Sequence, residues 1–443
     1  MGHPGSAGLG VSLSDVGVQM AQMSGLRGIM EDIGVATTAA PGRRWLNLGV
    51  GNPAVIPEVA EWWQRLAAES LRDSFVDTSC RYGPSRGLPR LVDAIVDYFN
   101  RRYSWNIEPD SVVIGPGSQM LCFIAAAMFT GPSGTRSDSA SGATRDTTVL
   151  MPLTPDYTGY QGLALTAGGV QGVEPLLHLE GDRSFRYVLD AAAARGRTDA
   201  GMLLVSSPSN PTGHRLDAEA TGELLEIAHA LDIPLLIDQA YGDPFPSIAI
   251  TPTDPLRDSH VINSFSLSKA GMPGERLGFL VADERFVTPI VSFLANVTLH
   301  APQSIQAMLA RALETHEIDS VVASSITPFY RERRALVEKM LVQALPSGIA
   351  WRLHASEGGM FVWLWVDEEW FDDVVLYELL KSRGLFVVPG RHFFAAGSRL
   401  GRHSRQCVRI SMTPDVDDLR TGIEMIAQAV VDLDPASVAG RHR

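Results

Sequence analysis

The chain has 443 residues, 45% hydrophobic and 20% charged, the composition of an ordinary globular protein able to bury two cores, so two domains are expected. Its formal charge of -13 and pI of about 5.3 weigh against nucleic acid and anionic membrane as partners, because both select basic surfaces. Cys80, Cys122 and Cys407 lack metal spacing and fit a reducing cytoplasm, and no apolar run reaches the roughly 18 residues of a membrane helix, while residues 1–20 lack a basic and then hydrophobic leader.

In chain order, Met1 to Ser6 formally fits a myristoylation pattern, yet residues 1–23, like 435–443, read as flexible tails. Val112 to Ile114 is a strand-like run, followed by Gly115-Pro-Gly-Ser-Gln119 and a helix-like run from Met120 to Phe129. Such a turn is either a plain strand-to-helix loop or a helix N-terminus whose backbone N–H groups meet an anion. The stretch 131–146 holds no aromatic or large aliphatic side chain, so 131–147 reads as a mobile insertion, or alternatively a lid, before a strand from Thr148 to Met151.

Leu203 to Val205 runs into a turn holding Asn210, a helix spans Ala218 to Leu231, and the apolar run from Ile233 ends in Asp238-Gln-Ala-Tyr241. Each apolar run sets a polar residue at a strand's C-terminal end, where open α/β sheets bind ligands. Alone, Asn210 reads equally as a turn residue and Asp238 as a helix N-cap. Next comes Ser266-Leu-Ser-Lys269-Ala-Gly-Met-Pro-Gly-Glu-Arg276-Leu-Gly278. A lone lysine there is a solvated loop residue; with its neighbours, its amine can hold a carbonyl compound as an imine, and the hydroxyls of Ser266 and Ser268 with Arg276 suit a phosphate. Helical periodicity covers 318–345, with a kink or break expected at Pro328, and strands are expected at His354 and at Phe361 to Trp365. Gln406 to Ser411 alternates like a half-buried strand, which leaves Arg409 in apolar surroundings where a guanidinium needs an anion. Strand runs alternating with helices predict an α/β fold with a mostly parallel sheet.

Together these motifs resemble the fold-type I pyridoxal phosphate enzymes of the aspartate aminotransferase superfamily, most nearly the valine–pyruvate aminotransferase branch, from about Ser24 to about Val430. Further blocks that carry the resemblance are Ser24-Gly-Leu-Arg-Gly-Ile-Met-Glu-Asp32, Gly49-Val-Gly-Asn-Pro-Ala54, Tyr157-Thr-Gly-Tyr160, Asp238 to Pro246 and Val388-Pro-Gly-Arg-His-Phe-Phe394. It implies a three-layer α/β fold with a large cofactor-binding domain at 62–300 and a smaller α+β domain built from 24–61 and 301–434.

By this resemblance, Lys269 holds pyridoxal 5'-phosphate and then carries the substrate's Cα proton, Asp238 faces the pyridine nitrogen, Asn210 and Tyr241 bond the phenolic oxygen, and Tyr157 stacks on the ring. Gly117, Ser118, Gln119, Ser266, Ser268 and Arg276 form a phosphate cup, to which Tyr82 is contributed by the neighbouring subunit of a homodimer. Gly51, Asn52 and Arg409 take the substrate's α-carboxylate. The implied function is transfer of an amino group between an α-amino acid and an α-keto acid in a ping-pong cycle. The same constellation also serves elimination or replacement at Cβ or Cγ, decarboxylation and ring closure. Val50, Glu275, Gln239 and Asp243 depart from the valine–pyruvate pattern, which leaves a specialised biosynthetic substrate open. A cofactor-sensing regulator would need a DNA-binding domain ahead of the fold, and a degenerate scaffold would lack the set Lys269, Asp238, Asn210 and Tyr241; neither is expected.

Overall fold

The structure, a computed structural model, describes residues 12–21, 25–137, 144–165 and 168–436. Of the tails expected at 1–23 and 435–443, residues 1–11, 22–23 and 437–443 lie outside the described residues, as does the tip of the insertion, 138–143, whereas 15–20 in the first tail form a helix that Ser14 caps and Gln19 ties to the Ala164 carbonyl. Helices α1 (Asp15–Met20) and α2 (Gly25–Ala39) lead to β1 (Leu46–Asn47), then α3 (Pro57–Ser79) and α4 (Pro89–Tyr103). Both of the latter start with proline, whose missing N–H has no intrahelical partner to lose there.

The following strands are β2 (Val112–Gly115), β3 (Gly131–Ser137), β4 (Thr144–Met151), β5 (Val170–Gly172), β6 (Leu176–Glu180), β7 (Ser184–Val188), β8 (Ala200–Ser206), β9 (Leu235–Asp238), β10 (Val261–Ser266) and β11 (Gly278–Val281). Among the described residues the large sheet runs β2-β11-β10-β9-β8-β4, with β3 and β5 both on β4. Strands β10, β9, β8, β4 and β5 are parallel, whereas β11 is antiparallel to both neighbours. Helices α5 (Ser118–Phe129), α6 (Ala191–Arg195), α7 (Ala218–Leu231) and α8 (Glu284–Thr298) connect or flank these strands.

Every residue of β8, β9 and β10 is buried, the pattern of a sheet covered on both faces. Successive side chains point to opposite layers: Leu203, Val205, Leu235, Ile237 and Val261 pack with α7, and Met202, Leu204, Leu236 and Ile262 pack with α5 and α8. The register pairs Ser206 with Asp238 and Asp238 with Ser264, so these strands end together on one rim.

Helices α9 (Gln303–Glu314), α10 (Glu317–Val321) and α11 (Thr327–Ala344) follow, with a π-helical turn at Val322–Ile326. The break expected at Pro328 is thus absorbed by that turn, and Pro328 sits in the first turn of α11. The second sheet adds β12 (Trp351–His354), β13 (Phe361–Val366), β15 (Val388–Pro389) and β16 (Cys407–Ser411), while β14 (Leu385–Phe386) pairs with β1. Helices α11, α12 (Asp373–Arg383) and α13 (Val416–Leu433) enclose its core with Leu46 and Leu48.

Four features differ from the sequence expectations. A boundary at 61 would cut through α3, and α9, beyond a boundary at 300, packs with α3 and α4 in one core of the large domain. The β6–β7 hairpin joins the second sheet, ordered β15-β16-β13-β12-β7-β6, through Leu353 against Ser184 and His354 against Phe185. Strand β16 is buried on both faces, not one, because β13 and β15 flank it under helical cover. The arms of the 131–147 segment pair antiparallel, Gly131 with Thr147 and Ser133 with Arg145, since a backbone ladder needs no large side chains.

Candidate active site

A cavity of about 330 Å³ opens on the rim where β8, β9 and β10 end. Lys269 enters it from the turn after β10, and its Nζ donates to the Gly51 carbonyl at 2.7 Å. Burial, reinforced by the positive charges of Arg409 and Arg276 and opposed by Asp238, holds its amine down at about 8. Asp238 ends β9: its Oδ2 accepts the Tyr160 hydroxyl at 2.6 Å and its Oδ1 the Ala240 N–H at 3.0 Å. Burial pushes its carboxyl up to about 6, against the lowering effect of those hydrogen bonds and of Lys269.

At one end of the cavity lie Ser118 and Gln119, the first residues of α5, a helix that no side chain caps. Gly117 before it has φ +89°, and a Cβ there would sit 2.6 Å from an Arg276 nitrogen. A Cβ on Gly278 would sit 2.6 Å from the Ser118 nitrogen. Arg276 donates only to Ser268 Oγ (3.3 Å) and the Pro273 carbonyl (3.4 Å), and no carboxylate pairs with it among the described residues. The Ser266 hydroxyl accepts the Ser268 N–H at 3.2 Å, which closes this end into a cup of donors around a positive charge.

At the other end Arg409 is almost wholly buried, lying 4.0 Å over the Phe361 ring and 5.1 Å from Phe393. It donates to Asn210 Oδ1 (3.0 Å) and the Gly49 carbonyl (2.7 Å), both neutral, and its Nε has no partner. Burial lowers its guanidinium to about 10. Tyr157 and Tyr241 line the walls, Tyr241 with its ring 5.9 Å from Lys269 Nζ, and burial raises both phenols.

The site residues expected within one chain thus converge, while Tyr82, expected to serve the neighbouring subunit, is 88% exposed, its ring edge-on to His300 and away from this chain's cavity. The structure adds residues that sequence reading did not assign, among them Met30, Val50, Tyr160, Ser206 and Ala240. Asp156, fully buried, accepts both the Ser206 N–H and hydroxyl behind the wall, and burial lifts its carboxyl to about 7.

The family described as Aminotransferase class I and II matches residues 43–426. The chain belongs to this family. It is 31% identical over 424 residues to the valine–pyruvate aminotransferase of Escherichia coli K12, covering 95% of this chain and 98% of that protein. The crystal structure of a putative amino-acid aminotransferase from Psychrobacter arcticum 273-4 superposes with a TM-score of 0.88 at 31% identity, covering 96% of this chain and 99% of the other. That of valine–pyruvate aminotransferase from Salmonella typhimurium LT2 gives 0.80 at 29%, covering 92% and 99%. The aminotransferase is therefore an enzyme that moves amino groups between amino acids and keto acids, and its class depends on pyridoxal 5'-phosphate. The cavity fits that cofactor. It presents a cup of N–H groups, hydroxyls and an unneutralised guanidinium where glycines leave space for a phosphate, an amine held down at about 8, and a carboxylate at the end of β9.

Proposed function

We propose that this aminotransferase takes the amino group of a neutral, apolar α-amino acid and passes it to a small keto acid such as pyruvate. The observation that carries the reading is Arg409, a buried guanidinium with neutral partners and an unpaired Nε. An α-carboxylate held by two parallel hydrogen bonds satisfies such a group. Arg276 belongs to the phosphate end and Lys269 to the reacting centre, so among the described residues of this chain no cation lining the cavity remains for a carboxylate on the substrate's side chain. Met30 and Val50 instead offer it apolar surface. The name of the Escherichia coli relative supports the same donor and acceptor.

When bound, pyridoxal phosphate supplies a sink for the electron pair left on the substrate's Cα as its proton departs. Lys269 anchors the cofactor and then carries that proton on Nζ; an amine near 8 is a competent base close to neutrality. Asp238, steadied by Tyr160, would keep a proton on the ring nitrogen, Asn210 and Tyr241 would hold the phenolic oxygen, and Tyr157 would offer its ring to the cofactor's. Gly117 gives the phosphate room, while Ser118, Gln119, Ser266, Ser268 and Arg276 hold it. Gly51 and Asn52 approach the substrate carboxylate beside Arg409. The exposure of Tyr82 supports its reaching the phosphate of a second subunit in a homodimer, as does the exposure of Phe75, Val76 and Leu299. Three free thiols support a reducing cytoplasm as its setting.

The test is a substrate panel. Valine or alanine alone should convert the bound cofactor to its amine form and pyruvate should restore it, with aspartate and glutamate about a hundredfold poorer because a second carboxylate would be desolvated without a cation. Preference for dicarboxylates would overturn the substrate class. Release of ammonia or carbon dioxide in place of the keto acid would overturn transamination in favour of elimination or decarboxylation.

A further inference from the structure

His229, Asp258 and His260 converge at the edge of the large sheet opposite the cavity. His229 lies in the last turn of α7, and Asp258 and His260 in the turn that enters β10. The length of β10 separates them from the cavity rim, on the order of 16 Å at about 3.3 Å per residue. His229 Nε2 lies 3.0 and 3.1 Å from the two Asp258 oxygens, and His260 Nδ1 lies 3.9 Å from one of them. The two imidazole rings are 4.1 Å apart. One ligand atom from each of the three residues falls within 4.8 Å of the others. Donors around a tetrahedral ion with bonds of about 2.0 Å stand about 3.3 Å apart, so small side-chain rotations close this triad onto one centre.

The surroundings fit the same purpose. His260 Nε2 is 2.9 Å from Asp232 Oδ1, a partner that fixes the proton on Nε2 and leaves the Nδ1 lone pair toward Asp258. A carboxylate on the far nitrogen of a ligating imidazole is the usual outer support of a metal site. Asp232 is itself fixed as the left-handed residue that ends α7. Arg285 lies 3.7 Å from that same Asp232 oxygen and donates to the Ser259 carbonyl, so it steadies the outer carboxylate without pairing with Asp258. Two groups have to yield their places, the Nε2 proton that His229 shares with Asp258 and the Ser259 hydroxyl 3.2 Å from His260 Nδ1.

We propose that His229, Asp258 and His260 form a structural site for a borderline divalent transition metal ion of the zinc type, with water completing the tetrahedron. Two imidazoles and one carboxylate select Zn²⁺ or Co²⁺ over Mg²⁺ and Ca²⁺, which favour all-oxygen sets. The ion would clamp the end of α7 to the start of β10 and take no part in amino transfer.

The test uses holoenzyme carrying Cys80→Ser, which removes the exposed thiol as a competing ligand. Zn²⁺ is titrated by calorimetry and Co²⁺ by visible absorption. The expected result is one equivalent per chain, a Co²⁺ band of tetrahedral intensity, and a higher unfolding temperature with Zn²⁺. His229→Gln, on the exposed side of α7, should weaken Zn²⁺ binding by about tenfold or more and abolish the band without changing transamination; His260→Gln should do the same. The proposal is overturned if the parent binds no Zn²⁺, or if both variants bind it as tightly as the parent.

Discussion

Lys269 is one of three lysines in the sequence, with Lys339 and Lys381, so the anchoring residue is open to direct mapping. Borohydride reduction should fix the cofactor on Lys269 alone, and Lys269→Ala should abolish both the label and turnover. Only the neutral amine attacks the cofactor's aldehyde, and an amine near 8 is about one-tenth neutral at pH 7, where an ordinary lysine is neutral to a few parts in ten thousand. Cofactor uptake by the apoenzyme should therefore climb about tenfold per pH unit below 8 and level off above it, which stopped-flow absorbance will follow. Asp238→Asn should cut turnover by several orders of magnitude, about 4 kcal/mol or more in the barrier. Tyr160→Phe removes one hydrogen bond to a buried carboxylate, about 1.5–3 kcal/mol, and should lower kcat roughly 10- to 100-fold. Because the Tyr160 bond lowers the Asp238 carboxyl, its loss should also move the acid limb of the kcat profile to higher pH. Lys269, Asp238, Asn210 and Arg409 were legible only as a set, because each stands in a short motif that is ambiguous alone and whose order along the chain carries the family resemblance. Tyr160 stood inside such a motif too, but its meaning comes from a partner 78 residues away, which only the folded rim supplies.

Elements that announce themselves by period and caps were read closely. Helix α7 spans Ala218–Leu231 as expected, with the Asp217 side chain accepting the Ala220 N–H at its start. The approach of α5 to the phosphate end was legible from Gly115 to Gln119, yet the demand on Gly117 appears only in the positive φ and the nearness of Arg276. Gly117→Ala imposes a strained backbone, about 1 kcal/mol, and also displaces that guanidinium. It should raise the dissociation constant for pyridoxal phosphate about tenfold or more, measured by equilibrium dialysis, while leaving the fold intact by circular dichroism. What the sequence concealed were pairings between distant segments. Nothing in the composition of 131–137 marks it as a ladder partner of β4, and nothing local in Ser184–Val188 points to β12. Buried histidines were equally silent: His403, beside Tyr187 and Cys407, is held down to about 3 by burial alone. Its folded value lies below the unfolded one, so its contribution is present above pH 6.5 and fades as pH falls toward 3. The stability cost of His403→Leu should accordingly shrink across that window, at up to about 1.4 kcal/mol per pH unit, in urea titrations.

At the scale of the molecule, the α/β plan with a mostly parallel sheet was legible from the alternation of runs, and the seams between domains were not, because α3 and α9 join one core by tertiary packing that no linker composition signals. Exposed Phe75 and Val76 on α3, with Tyr82 beyond, mark the face where a second subunit is expected. Phe75→Glu should shift the enzyme toward monomer in sedimentation velocity, with activity falling in step. The β6–β7 hairpin has a mechanical consequence of its own. Its roots lie in the large domain, yet Leu353 and Ala355 of the small domain donate to the Arg183 and Phe185 carbonyls at 2.9 and 2.8 Å. Beyond the hairpin the chain passes through α6 into β8, the strand that leads to Asn210. The small domain, which carries Arg409, is thus tied by hydrogen bonds to the hairpin whose chain leads on to Asn210, the very residue that Arg409 grips, so its two attachments to the large domain converge on one segment at one end of the cavity.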